Sequence, residues 1–104
     1  MLTIERLKQV LKEYTVPSRF SHFSGEVTPP FIVYLLPSTE NFMADNQVYY
    51  PIDSFVLELY SRVNILQEEK KLEEHLTNNN IPWEKASQSW LDDEKLVMSV
   101  YDIG

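Results

Sequence analysis

The chain has 104 residues, of which 43% are hydrophobic and 12% aromatic, so it carries enough apolar side chain for one packed core. This excludes a disordered chain and leaves no room for a second domain, so residues 1–104 are expected to form a single domain. Sixteen Asp and Glu against nine Lys and Arg give a formal charge of −7, and cysteine is absent. An acidic surface is poorly suited to a phosphate backbone, which is bound chiefly by Lys and Arg, so nucleic-acid binding is not expected. The lack of cysteine removes disulfides, thiolate metal ligands and cysteine nucleophiles, and fits a reducing compartment.

Ile4, Leu7, Val10, Leu11 and Tyr14 recur at helical steps and predict a helix from about Thr3 to Tyr14. Thr3 is suited to cap it, Glu5 lies at the positive end of its dipole, and Pro17 stops its continuation. No basic region followed by an apolar stretch precedes this helix, so a signal peptide is not expected. From Thr15 to Pro30 the chain shows neither helical nor alternating periodicity and reads as a loop. A connection this long is unusual in a compact domain, so it is functional, pinned by Phe20 and Phe23, or contains a short strand.

Phe31 to Leu36 is an aromatic and β-branched run fenced by Pro29-Pro30 and Pro37, and reads as a central strand buried on both faces. It is the longest apolar run, far below the roughly 20 residues of a membrane-spanning helix, so a soluble protein is expected. Ser38 to Asn46 reads as a polar loop. Val48 to Tyr50 and Ile52 to Arg62 carry strand signals, with Phe55, Leu57 and Leu59 on one face and Val56, Glu58 and Tyr60 on the other. Pro51 cannot donate to a ladder, which makes the stretch around it a turn or an edge strand.

Leu66 to Leu76 predicts a second helix, ended by Asn78-Asn79-Asn80 because Asn tolerates a left-handed C-cap. Trp83 to Trp90 and Lys95 to Ile103 then form a hairpin about the acidic turn Leu91 to Glu94. The expected fold is α+β in the order α-β-β-β-α-β-β. Two helices cover one face of a mostly antiparallel sheet of about five strands. The expected core positions are Leu7, Leu11, Val33, Leu35, Phe55, Leu57, Leu59, Leu72 and Leu76.

No pattern for catalysis emerges. His22 and His75 have no metal-ligand spacing, and His75 reads as a solvated side chain. Ser54, Ser61 and Ser87 lack a nucleophile-elbow context, and two glycines do not supply a phosphate-cradling loop. Glu68-Glu69, Glu73-Glu74 and Asp92-Asp93-Glu94 read as solvated helix and turn surface, without an EF-hand pattern. No catalytic residue, metal or cofactor is therefore expected, and the protein is not expected to be an enzyme. The aromatics Phe42, Met43, Tyr49 and Tyr50, with Asp45 among them, sit in an otherwise polar stretch. Such side chains either form the core of a protein interface or fold back onto the chain's own core.

The N-terminal helix, the strand Phe31 to Leu35, the block Asn41-Phe42-Met43-Ala44-Asp45-Asn46-Gln47-Val48-Tyr49-Tyr50 and the strand Phe55 to Tyr60 carry a resemblance. So do the helix Glu68 to Leu76, the segment Ile81 to Lys85 and the closing Glu94 to Ile103. Together they resemble small head-tail joining and tail-completion proteins, similar to tail terminators, of tailed phages and prophages of Gram-positive bacteria. The most specific part is the Phe-x-Ala-Asp-Asn-x-x-Tyr block. The resemblance implies a structural protein that forms a hexameric ring, with itself and neighbouring head and tail proteins as partners. It implies assembly in the host cytoplasm and residence at the head-tail junction or tail of the virion. An acidic ring suits a passage that DNA crosses, since like charge prevents sticking. The alternative reading is a small cytoplasmic adaptor that binds a bacterial protein through a sheet edge or its Tyr49-Tyr50 surface.

Overall fold

The computed structural model describes the backbone of residues 2–44 and 47–104, and the side chains of residues 2–36 and 55–104. Seven elements follow one another: α1 (Ile4–Lys12), β1 (Ser18–Phe20), β2 (Phe31–Ala44), β3 (Gln47–Ser61), α2 (Ile65–Asn78), β4 (Trp83–Leu91) and β5 (Leu96–Ile103). The strands form one sheet in the order β1-β2-β3-β5-β4. The fold is α+β in the expected order, with a sheet that is mixed because β1 runs parallel to β2. All other neighbours are antiparallel.

α1 begins where Thr3 Oγ1 accepts a hydrogen bond from the Arg6 amide at 3.2 Å, satisfying one of the free N–H groups of the first turn. It ends at Lys12, earlier than the periodicity of Tyr14 implies. Tyr14 lies beyond the helix and its ring meets His75 of α2, with centroids 4.8 Å apart. The open question of residues 15–30 resolves into a short strand. Ser18, Arg19 and Phe20 pair with Ile32, Val33 and Tyr34, and Pro17 O accepts from the Ile32 amide at 2.8 Å. Three residues on a sheet edge are too few to show a periodicity.

β2 and β3 pair along their length, so Ser38 to Ala44 of the polar loop expected at Ser38 to Asn46 is instead strand, while Asp45 and Asn46 lie outside the described residues. Two bulges make this possible. One falls between Leu35 and Ser38, the other between Phe42 and Met43. The first spans Pro37, whose missing N–H is harmless where the ladder is already interrupted. Pro51 lies within β3 opposite Asn41, in the part of β3 that β5 does not reach. With only one partner strand there, β3 is locally an edge, and an edge tolerates a residue that donates nothing outward.

Both helices pack on one face of the sheet. The core joins Leu7, Val10 and Leu11 of α1 and Leu72 and Leu76 of α2 to Ile32, Tyr34, Phe55, Leu57, Leu59, Tyr101 and Ile103 of the strands. Each such fully buried side chain contributes about 1.5–3 kcal/mol relative to exposure. The alternation of β3 is as expected. On β2 the parity is the reverse of the expected core: Ile32 and Tyr34 point at the helices, while Val33 and the half-buried Leu35 lie on the opposite face. An unbroken apolar run contains no alternation from which to read that parity. The run is also not buried throughout, since Leu36 is exposed.

α2 ends in a Schellman arrangement: the Ile81 amide donates to Leu76 O at 2.9 Å and the Asn80 amide to Thr77 O at 3.0 Å. Asn80 adopts φ 60°, the left-handed conformation expected of the Asn run. Ile81 and Leu76 are both buried in the core, which is the hydrophobic contact that accompanies this cap. In the last hairpin the turn falls at Asp92 to Lys95, with Lys95 at φ 58° and its amide donating to Leu91 O at 2.8 Å. Every residue of β4 from Trp83 to Trp90 is exposed, although α2 reaches this strand through polar contacts.

Candidate functional site

The side chains with the most elaborate chemistry lie between α2 and the β4–β5 hairpin. Glu69 is only 2% exposed. One of its carboxylate oxygens accepts from Ser99 Oγ at 2.6 Å and Gln88 Nε2 at 2.8 Å, and the other from Lys85 Nζ at 3.2 Å. Burial pushes its pKa up, but the three hydrogen bonds and the Lys85 charge outweigh that and hold it below the ordinary carboxylate range. One turn along, Glu73 accepts from the buried Tyr101 hydroxyl at 2.7 Å, and burial, together with that acceptor, raises the tyrosine pKa. Glu69 is thus saturated by protein donors. Its arrangement clamps α2 to both strands of the terminal hairpin, a structural use of charge.

The solvated surfaces expected at Glu69, Glu73 and His75 are therefore corrected. Glu69 was legible in principle, because the apolar stripe of Ile65, Leu72 and Leu76 passes through it at three- and four-residue steps. His75 is half-buried, and its Nε2 donates to Val10 O at 2.7 Å, satisfying a carbonyl in the last turn of α1. Against it lies Tyr14, whose pKa burial and the nearby Glu68 carboxylate push up to about 12. Among the described residues no group of three or more His, Cys, Asp or Glu is placed to hold a metal ion.

The other candidate is the far part of the β2–β3 hairpin. β1 pairs with β2 only over Ile32–Tyr34, and β5 with β3 only over Phe55–Ser61. Beyond them, from Leu36 to Ser54, the two strands pair only with each other and form an arm projecting past the sheet. The backbone places Phe42 opposite Tyr50 and Met43 opposite Val48, and the bulge leaves Tyr49 as the extra residue of β3. A bulge of this kind increases twist and re-aims the residues beside it. The fold thus brings Phe42, Met43, Tyr49 and Tyr50 into one stretch of ladder. Their side chains, and Asp45 entirely, lie outside the described residues.

Away from the arm, Phe31 stacks on Tyr60 with centroids 4.8 Å apart on the sheet face opposite the helices. Trp90, 56% exposed, stands near the end of β4. Among the described residues no helix is long and apolar enough to cross a membrane. No protein-family model matches the sequence, and no curated protein or solved structure matches it either.

Proposed function

We propose that the chain is a structural protein that acts by self-association into a closed ring, as the head-tail joining and tail-completion proteins it resembles do. The observation that carries this reading is the arm. Along Leu36 to Ser54 the two strands pair only with each other among the described residues, and four large apolar residues, Phe42, Met43, Tyr49 and Tyr50, fall within that extension. Apolar and aromatic residues on a projecting element are the means by which interfaces bury area at modest entropic cost. In a ring each subunit presents two different patches, so altering one blocks growth without unfolding the monomer. Phe42→Asp and Tyr49→Asp are expected to keep the circular dichroism and thermal unfolding of the parent while abolishing the oligomer seen by light scattering. Variants that unfold would show these side chains to be core.

The exposure of all of Trp83–Trp90 favours a second reading, an adaptor that adds a partner strand along β4. A bulge between Lys85 and Ser87 and the charges of Glu84 and Lys85 blunt that edge, as in strands kept from pairing. The ring reading is preferred for that reason.

A further inference from the structure

The helices cover one face of the sheet, yet the opposite face is apolar as well. The strand register sets it out in rows. Phe31, Tyr60 and Met98 form one row, Val33, Glu58 and Val100 the next, and Leu35, Val56 and Asp102 the third. A sheet face turned to water is polar, whereas strands apolar on both sides belong to sheets covered on both sides. Val33 is buried, and the other apolar side chains of these rows are half-buried, so part of their surface stays open. Phe23, from the stretch between β1 and β2, meets Phe31 edge-on at the margin of this face, with centroids 5.4 Å apart.

The charges on this face identify its occupant. Glu58 is half-buried among the apolar rows, and its Oε1 accepts from the Tyr60 hydroxyl at 2.8 Å. Arg19 on β1 pairs with Val33 and so extends the same row on the other side. Its side chain is exposed, with Nη1 donating to Ser18 O at 2.9 Å and the guanidinium 5.5 Å from the centre of the Phe23 ring. Among the described residues neither Arg19 nor Glu58 makes an ion pair, whereas Lys71, Lys85 and Lys95 each do. The two charges flank Val33 symmetrically, one strand away on either side, with backbones about 10 Å apart. Such a row is complementary to itself. We infer that this face receives the same face of a second copy of the chain, about a two-fold axis along β2 that sets Arg19 of each copy against Glu58 of the other. Two apolar faces then exclude water around both ion pairs, which strengthens them and fixes the register of the contact. The place of this contact in an assembly rests on the ring reading above: the arm is one patch of each subunit and this face the other. A self-complementary contact that alternates with the arm's closes a ring of an even number of subunits, as a hexamer is.

The test swaps the charges in a full chain whose arm is blocked by Phe42→Asp with Tyr49→Asp, read by sedimentation velocity over a concentration series. This arm-blocked chain is expected to stop at a dimer. Arg19→Glu or Glu58→Arg, added singly, should weaken the dimer at least about tenfold, because each sets like charges against one another twice. Both together should recover it, since the swapped pair is again complementary across the axis. Lys12→Glu and Glu74→Arg, equal in charge change but exposed on the helices, should leave the dimer unchanged. If circular dichroism shows Glu58→Arg to be unfolded, Glu58→Gln replaces it, with weakening again expected. Single variants that dimerise like their parent overturn the inference, as does a double variant that fails to recover. Equal weakening by the controls reduces the effect to net charge and also overturns it. An arm-blocked chain that stays monomeric, beside an unaltered chain that assembles, overturns this inference and leaves the ring reading intact. An unaltered chain that stops at the dimer overturns the ring reading and leaves this face, and one that stays monomeric overturns both.

Discussion

Ser99 on β5 donates its hydroxyl to the Glu69 carboxylate on α2 across 2.6 Å, and both residues are buried. A short O–H···O⁻ contact of this kind is among the stronger neutral-to-charged hydrogen bonds, and here it joins the second helix to β5, the strand between β3 and β4. Glu69→Ala leaves Ser99 a buried donor without acceptor and frees Lys85 and Gln88 to water. It is expected to cost about 2–3 kcal/mol in chemical denaturation, mostly from the orphaned hydroxyl and the lost packing. Glu69→Gln should cost less, because the amide oxygen still accepts.

The same site sets a pH dependence. Glu69 has a lower pKa folded than its ordinary value of 4.5, so the unfolded chain binds the proton first as pH falls. Its contribution to stability is complete above the ordinary value and is lost as pH drops through the folded one. Thermal unfolding of the wild type should therefore weaken below about pH 4.5 more steeply than that of Glu69→Gln. Equal slopes would mean that the carboxylate is not preferentially ionised in the fold.

The His75–Val10 contact leads to a separate expectation. His75→Ala removes both the donor to the Val10 carbonyl and the ring against Tyr14, loosening α1 from α2. The expected loss is about 1–2 kcal/mol by denaturant titration, the scale of one satisfied carbonyl plus one aromatic contact.

At the end of α2, Asn80 occupies a left-handed position. Asn80→Gly should be neutral or stabilising by up to about 1 kcal/mol, since glycine has no Cβ to strain there. Asn80→Val should instead cost about 1–2 kcal/mol. Opposite signs for the two substitutions in thermal melts would confirm the cap, and equal effects would contradict it.

Leu57, fully buried on β3, is expected to cost about 2–5 kcal/mol when replaced by Ala, while Leu36→Ala, at an exposed position, should change little. The Leu57 loss checks the register that places odd positions of β3 on the helix side, and the Leu36 result checks that the apolar run of β2 is not buried throughout.

The helices, the β3 alternation and the terminal hairpin were legible because periodic apolar residues with caps and turns such as Thr3, Asn80 and Asp92 to Lys95 write themselves into local sequence. The arm was not. Ser38 to Ala44 is a polar stretch without the alternating apolar pattern that marks strands, yet its backbone pairs with β3. β1 was hidden by its brevity. The role of Glu69 was hidden by its neighbours, since a run of charged residues along α2 looks like a solvated face until Ser99, Gln88 and Lys85 arrive from distant sequence. The aromatic residues of the candidate interface were picked out by composition alone, and the pairing of Phe42 with Tyr50 across one ladder emerges only from the fold.

The central claim is that the arm closes this chain into a ring of fixed size, and native mass spectrometry over a concentration series tests it most directly. The account predicts a rise from monomer through intermediates to a hexamer at which growth stops, absent from Phe42→Asp and Tyr49→Asp variants that remain folded. A monomer at every concentration, or an unbounded ladder of sizes, would contradict it.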